Sequence, residues 1–292
     1  MFERIYHDYL LHKQRLNSEE RYEGREGWYH ASGAGLCSRK LYYQSIEKLE
    51  SPSKEFDDVN AKSQKGQRRM RLGTIIHEDI QNALIYYNNI NNNNIVLKEK
   101  KEILSKKKKS LEFVIEEEVQ IRDLNVRGFY DILVLEEVDG QTHPLVKLYD
   151  IKTVDAWSWK NLYPKGTKNE IANDLFEKEN YKLQLGTYGL AVREKYGHLD
   201  QMGFIYYNTN TQILRKSIVP LEYVEKARRY WYSINEEHSK GVPGFRMGTS
   251  PANAWVCGYC DYFDHCKPPV GQSKEPDWKL KRKKKRGLKW EI

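Results

Sequence analysis

The chain has 292 residues, of which 39% are hydrophobic and 31% charged, with a formal net charge of +8. That length supports one large core or two modest ones, and no apolar run approaches the roughly 20 residues of a membrane-spanning helix. The excess charge is local: Lys279 to Lys289 holds eight Lys and Arg and no acid, and 49 basic residues less those eight leaves 41 against 41 acidic ones. The body is therefore near neutral. The tail reads as a polyanion-binding segment, or as a solvated terminus or localisation signal, with Trp278 and Trp290 as base-stacking or packing handles at its flanks.

The spacing of apolar residues predicts an amphipathic helix over 3–17 and a second from Ser38 to about Lys48, directly after Cys37. The Ser51-Pro52-Ser53 segment ends that pattern. A longer helix is expected from about Ala61 to Tyr87, carrying Arg68, Arg69, Arg71 and His77. The Asn-rich run 88–94 and the Lys-rich stretch to Lys109 read as a low-complexity surface excursion without catalytic duty. The period then changes to that of strands. LEFVIEEEVQI, VRGFYDILVLEE and PLVKLYDIKTV are rich in branched and aromatic residues, and Asp139-Gly140 marks a hairpin between the last two. A helix over about 180–196, one or two strands in FIYYNTNTQILRKSIV and a helix from Tyr223 to about Lys240 follow. This order predicts a mixed α/β domain with a helical N-terminal part and a C-terminal cap.

Cysteines stand at Cys37, Cys257, Cys260 and Cys266, the last three in C-x2-C-x5-C spacing. Thiolates two residues apart in a turn converge readily on one soft metal centre, and four thiolates suit zinc and iron-sulfur alike. A disulfide framework is not expected, since no signal-peptide pattern opens the sequence and the length needs no staples.

Asp150-Ile151-Lys152 carries the remaining chemistry. Residues two apart on a strand share a face, so Asp150 and Lys152 project together while Ile151 points into the core. A hairpin register centred just past Asp139-Gly140 sets Asp131 almost opposite Asp150. Paired carboxylates hold Mg2+ or Mn2+, and a neighbouring lysine can orient an attacking water. His77 lies four residues after Gly73 on the long helix. Gln184 and Tyr188, at i and i+4, share one helical face.

Taken in order, Ser32, Cys37, Arg39 and Tyr43 (S-x4-C-x-R-x3-Y), G-x3-H, GFYD, D-I-K-T, Q-x3-Y and C-x2-C-x5-C resemble the RecB-like branch of the PD-(D/E)XK nucleases. The match is narrower still with its iron-sulfur members, which include CRISPR-associated spacer-acquisition nucleases, AddB-type nuclease domains and phage exonucleases. The resemblance implies a restriction-endonuclease-like core, a mixed central sheet flanked by helices, over about 61–240. It implies a helical N-terminal part over 1–60 contributing Cys37 and an iron-sulfur cap over 241–270, whereas the insertion at about 88–110 and the basic tail over 271–292 have no counterpart in the family pattern. It also implies metal ligands His77, Asp131, Asp150 and the Ile151 carbonyl, Lys152 as the catalytic lysine, and Gln184 and Tyr188 beside the site. Cys37, Cys257, Cys260 and Cys266 would hold a structural 4Fe-4S cluster, with zinc as the alternative. One of Glu116, Glu117 and Glu118 is expected to face the site, and the sequence does not distinguish them.

The expected activity is Mg2+- or Mn2+-dependent hydrolysis of DNA, as an exonuclease acting on ends. Two alternatives remain open: an endonuclease or end-trimming subunit of a larger DNA-processing complex, CRISPR-adaptation-like or with recombination or repair proteins as partners, and a non-catalytic zinc-containing nucleic-acid-binding protein. The absence of G-x4-G-K-[ST] excludes a fused phosphate-loop motor from the expected elements. A cytoplasmic location, bacterial or phage-encoded, is expected.

Overall fold

A computed structural model of the protein describes residues 2, 4–10, 12, 27–49, 61–92, 111–165, 172, 173, 176–249, 254–257, 260, 262, 263, 265 and 266. The Lys-rich stretch before residue 110 and the basic tail with its two tryptophans lie outside these residues. The chain divides into two compact units, one formed by Met1–Gly35 with Val59–Tyr232 and the other by Leu36–Asp58 with Ser233–Ile292.

The first unit is built on a mixed six-stranded sheet. Its strands are β1 (Tyr29–His30), β2 (Leu111–Ile121), β3 (Val126–Glu136), β4 (Leu145–Val154), β5 (Gln201–Asn208) and β6 (Leu214–Val219). They are ordered β1-β3-β4-β5-β6, with β2 paired to β3. Antiparallel neighbours come from short connections: β2 to β3, β3 to β4 through a turn at Gly140 (φ 83), and β5 to β6. The parallel pair β4 and β5 needs a crossover, which the helices α4 (Ala156–Leu162) and α5 (Glu179–Tyr196) supply.

A short helix α1 runs over 4–10, the part of the expected 3–17 helix that falls on a continuous described segment. Helix α2 (Ser38–Ser45) stops before the expected Lys48, which takes a left-handed φ of 52. Helix α3 (Ala61–Asn92) runs past the expected Tyr87, so the Asn-rich run is helical as far as Asn92. Asn88 has a packing reason to continue the helix: its amide donates to the Phe113 carbonyl at 2.7 Å and accepts from the Phe113 N–H at 3.1 Å, pairing α3 to β2.

Ile80 and Leu84 of α3 cover one face of the sheet, over Ile132, Val134, Tyr149 and Ile151. On the other side α5 buries Leu183, Leu185, Thr187, Tyr188 and Leu190. The N-terminal part of α6 (Glu222–Ser239) packs on α5, with Trp231 donating its indole N–H to Thr187 Oγ1 at 2.9 Å.

Face alternation inverts once along β3. Tyr130 is on the α5 side, where its hydroxyl donates to Glu117 and Glu117 also receives Lys195 of α5. Ile132, two residues on, lies in the cluster under α3. Residues two apart in a regular strand share a face, so the inversion must occur between them. It falls at Asp131 and at Glu116, which takes φ 48 between the paired rows Ile115–Ile132 and Glu117–Tyr130.

Close packing of α5 on α6 requires Gly186, where a Cβ would stand 2.2 Å from the Tyr223 carbonyl oxygen. Gly186→Ala is expected to lower unfolding free energy by about 1–3 kcal/mol through overpacking. Gly66→Ala, in α3 with nothing within 4 Å of the new methyl, is expected to raise it by about 0.5–1 kcal/mol through helix propensity alone. Urea unfolding at constant m-value would check both.

Candidate active site

β3 shares one edge between two partners. β4 pairs with Ile132 to Glu136, and β1 pairs with Val126 and Arg127. Asp131 sits in the interval, one step beyond the last β3–β4 pair of Ile132 with Tyr149, and hence opposite Asp150 in register. Its Oδ2 accepts the Ile151 backbone N–H at 2.7 Å. A side-chain carboxylate thus takes a bond that a strand carbonyl would otherwise accept, which ends the ladder without orphaning a buried donor.

His77 reaches the same place from α3, its Nδ1 3.5 Å from Asp131 Oδ2. The approach depends on Gly73 one turn earlier, where a Cβ would lie 3.3 Å from Thr153 Oγ1 of β4. Burial lowers the His77 pKa, against the pull of the Asp150 carboxylate and a hydrogen bond to the backbone of Ile151. The ring is therefore held toward its neutral form, the form in which an imidazole can ligate a cation.

Asp150 is 3% exposed, and its Oδ2 lies 2.7 Å from Lys152 Nζ without an aligned hydrogen bond on it. Lys152 Nζ also donates to Gln184 Oε1 at 3.2 Å and stands 4.6 Å over the Tyr181 ring. Burial opposes the lysine's charge, but Asp150 and then Asp131 outweigh it and raise its pKa, so the ammonium is retained. Gln184 Nε2 in turn donates to Tyr188 OH at 3.3 Å. Burial and the Asp150 carboxylate hold that phenol well above its ordinary range. Asp131 shows the cost of placing two carboxylates together: burial first, and the Asp150 charge second, push it up to about 8.

The structure therefore brings His77, Asp131, Asp150, Ile151, Lys152, Gln184 and Tyr188 into one connected set. Two participants were not legible beforehand. Among the three adjacent glutamates, Glu117 is taken by Tyr130 and Lys195, and Glu118 by Arg127 at 2.5 Å. Glu116, which has a left-handed backbone, is the one whose charge acts on His77 and Asp131. Tyr181, beneath the Lys152 ammonium, stands three residues before Gln184 on the same helical face, but a tyrosine at that spacing carried no signal of its own.

Among the described residues, no three His, Cys, Asp or Glu side chains are gathered tightly enough to enclose a metal ion unaided. For a hard divalent cation this is no obstacle, because Mg2+ commonly takes one or two protein carboxylates and completes its shell with water and phosphate oxygens. The unaligned Asp150 Oδ2 beside Asp131, whose ionisation burial and Asp150 oppose, is the arrangement that a cation would relieve.

In the second unit Cys37, Cys257, Cys260 and Cys266 form no disulfide with one another and line a single cavity with Tyr43 and Tyr262. Cys37 stands at the N-terminus of α2, its Sγ 3.8 Å from the Phe245 carbonyl. Cys257 ends the short helix α7 (Ala254–Cys257). Arg39 donates to the Gly244 carbonyl at 2.9 Å, and Tyr43 packs with Tyr262 and Cys266. The sulfurs surround the cavity without meeting at one point.

No described helix is long and apolar enough to cross a membrane. No curated protein matches the chain. The solved structure of SSO0001 is similar at 15% identity, over 94% of this chain and 100% of that one, with a TM-score of 0.47. A protein of Eubacterium rectale provisionally designated an exonuclease is similar at 13% identity, over 89% of this chain and 97% of its own, with a TM-score of 0.39. The sequence profile of the PD-(D/E)XK nuclease superfamily matches residues 93–267, more than half of the chain and inclusive of Asp131, Asp150 and Lys152. With the mixed sheet flanked by helices, that match places the chain in the PD-(D/E)XK nuclease superfamily.

Proposed function

We propose that the protein is a divalent-metal-dependent deoxyribonuclease of the RecB-like branch that acts on DNA ends. The observation that carries this reading is the opposition of Asp131 and Asp150 across β3 and β4, with the Lys152 ammonium 2.7 Å from Asp150. Asp131, Asp150, His77 and the Ile151 carbonyl would hold Mg2+ or Mn2+, which supplies Lewis-acid polarisation of the scissile phosphate and acidifies water. Lys152 offers a fixed positive charge to the phosphate as negative charge builds on it. Gln184 and Tyr181 keep that ammonium in place, and Tyr188 holds Gln184. Asp150→Ala and Lys152→Ala are each expected to lower cleavage of end-labelled linear DNA at least 100-fold while melting as cooperatively as the wild type; wild-type activity in either variant would remove the site. Closed circular DNA is expected to resist the enzyme, and its rapid linearisation would replace the end-directed reading with an endonuclease.

Cation binding at the carboxylates has a signature independent of turnover. A carboxyl whose folded pKa lies above its unfolded value keeps its proton where the unfolded chain has lost it, so metal-free stability falls as pH rises from about 4 toward about 8. Asp131→Asn carries no charge to repel Asp150. In EDTA it is expected to melt above the wild type at pH 8.5, with the gap narrowing toward pH 4. Mn2+ should raise the wild-type midpoint and leave the variant's unchanged.

Cys37, Cys257, Cys260 and Cys266 are proposed to bind a structural 4Fe-4S cluster. The donor set suits it in kind and number, with four sulfurs, none in a disulfide, around one cavity. Anaerobically purified protein is expected to be brown, with about four irons per chain; a colourless sample holding one zinc would reassign the centre.

A further inference from the structure

Helix α4 begins four residues beyond Lys152 and carries a tryptophan on its exposed side. Trp157 is 71% exposed, whereas the rest of α4 is anchored. Asp155 caps it by accepting the Ser158 N–H at 2.9 Å, and Asn210 Oδ1 takes the Ala156 N–H at 2.9 Å. Trp159 packs on Tyr163 with ring centroids 4.9 Å apart, and Leu162 is buried. The helix is thus fixed through one face, and its other face holds Trp157 and, three residues on, the exposed Lys160.

The surroundings are cationic. Arg69 of α3 and Lys178 at the start of α5 both act on Asp155, so this carboxylate, two residues before Trp157, is engaged as a cap and countered by two cations. Lys178 Nζ also lies 4.9 Å from the centroid of Tyr181, the ring that Lys152 Nζ approaches to 4.6 Å. A basic route therefore leads from the Asp150–Lys152 pair to Trp157. Five residues of chain span at most about 17 Å, the length of about five nucleotides at the 3.4 Å spacing of a stacked strand.

We infer that Trp157 is a base-stacking platform for single-stranded DNA, with Lys160, Arg69 and Lys178 holding the adjoining phosphates. An indole face offers its π surface to an unpaired base and has no counterpart contact in a duplex, whose bases are already stacked. The inference deepens the nuclease reading by selecting single-stranded ends or overhangs over blunt duplex as the strand that enters the site.

The test is binding, measured in EDTA so that no cleavage contributes. Fluorescein-labelled oligo(dT), an abasic oligomer of equal length and a blunt hairpin duplex would be titrated with the full chain. Trp157→Ala is expected to weaken oligo(dT) binding about 5- to 100-fold and to leave the abasic oligomer and the hairpin within about twofold. Trp157→Phe should retain most of the affinity, and oligo(dT) should quench its indole emission less than in the wild type, by the share that Trp157 contributes. Unchanged oligo(dT) affinity in Trp157→Ala, or an equal loss on all three ligands, would overturn the inference. A wild type that binds as expected but cleaves nothing with Mg2+ or Mn2+ would sink the nuclease reading and leave the stacking platform standing.

Discussion

The bond from the Ile151 N–H to the Asp131 carboxylate is the constraint on which the site depends. A buried backbone donor must be satisfied, and here a side chain satisfies it at the point where β3 and β4 cease to pair. The same residue marks the inversion of face alternation along β3, with Glu116 adopting a left-handed backbone on the neighbouring strand. Acidic groups that a regular sheet would send to one face or the other are therefore collected at a single break. Because Asp131 is tied to the backbone of Ile151, it is also tied to the flanking Asp150 and Lys152.

Electrostatics follow from that geometry. Two carboxylates in a buried setting raise the cost of full ionisation, seen in the elevated pKa of Asp131. Lys152 offsets part of the cost and remains charged despite its own burial. Gln184 and the Tyr181 ring fix the ammonium from the helix side, so its position does not rest on the ion pair alone. The set is incomplete as a closed cage, which suits a cation that shares its shell with phosphate and water.

In the second unit the physics is of another kind. Tyr43 and Tyr262 line the thiol cavity and pack together with Cys266, which sets the helix after Cys37 beside the Cys257–Cys266 segment, and Arg39 ties the same helix to the Gly244 carbonyl. These side chains do not contribute to the Asp131–Asp150 row, and the two sets of candidate ligands belong to separate units. Soft sulfur donors gathered in one unit and hard oxygen donors in the other match two different metal chemistries.

Much of this could be read from the residues in order. The strand meander was legible in runs of branched and aromatic residues, the hairpin in Asp139-Gly140, and the opposition of Asp131 to Asp150 in the count of residues from that turn. These are local properties: period two, turn chemistry and register need only a short window. The end of α3 was misjudged because an Asn-rich run looks unstructured until Asn88 finds Phe113 on β2. The choice among the three glutamates, the tyrosine under Lys152 and the outward face of Trp157 were settled only by tertiary structure. Each depends on what a distant segment places beside it, and on a backbone inversion that no periodicity encodes. The sequence by itself determined which carboxylates, lysine and thiols are available and how far apart they lie along the chain; packing of α3 and α5 on the two faces of the sheet decided which of them meet.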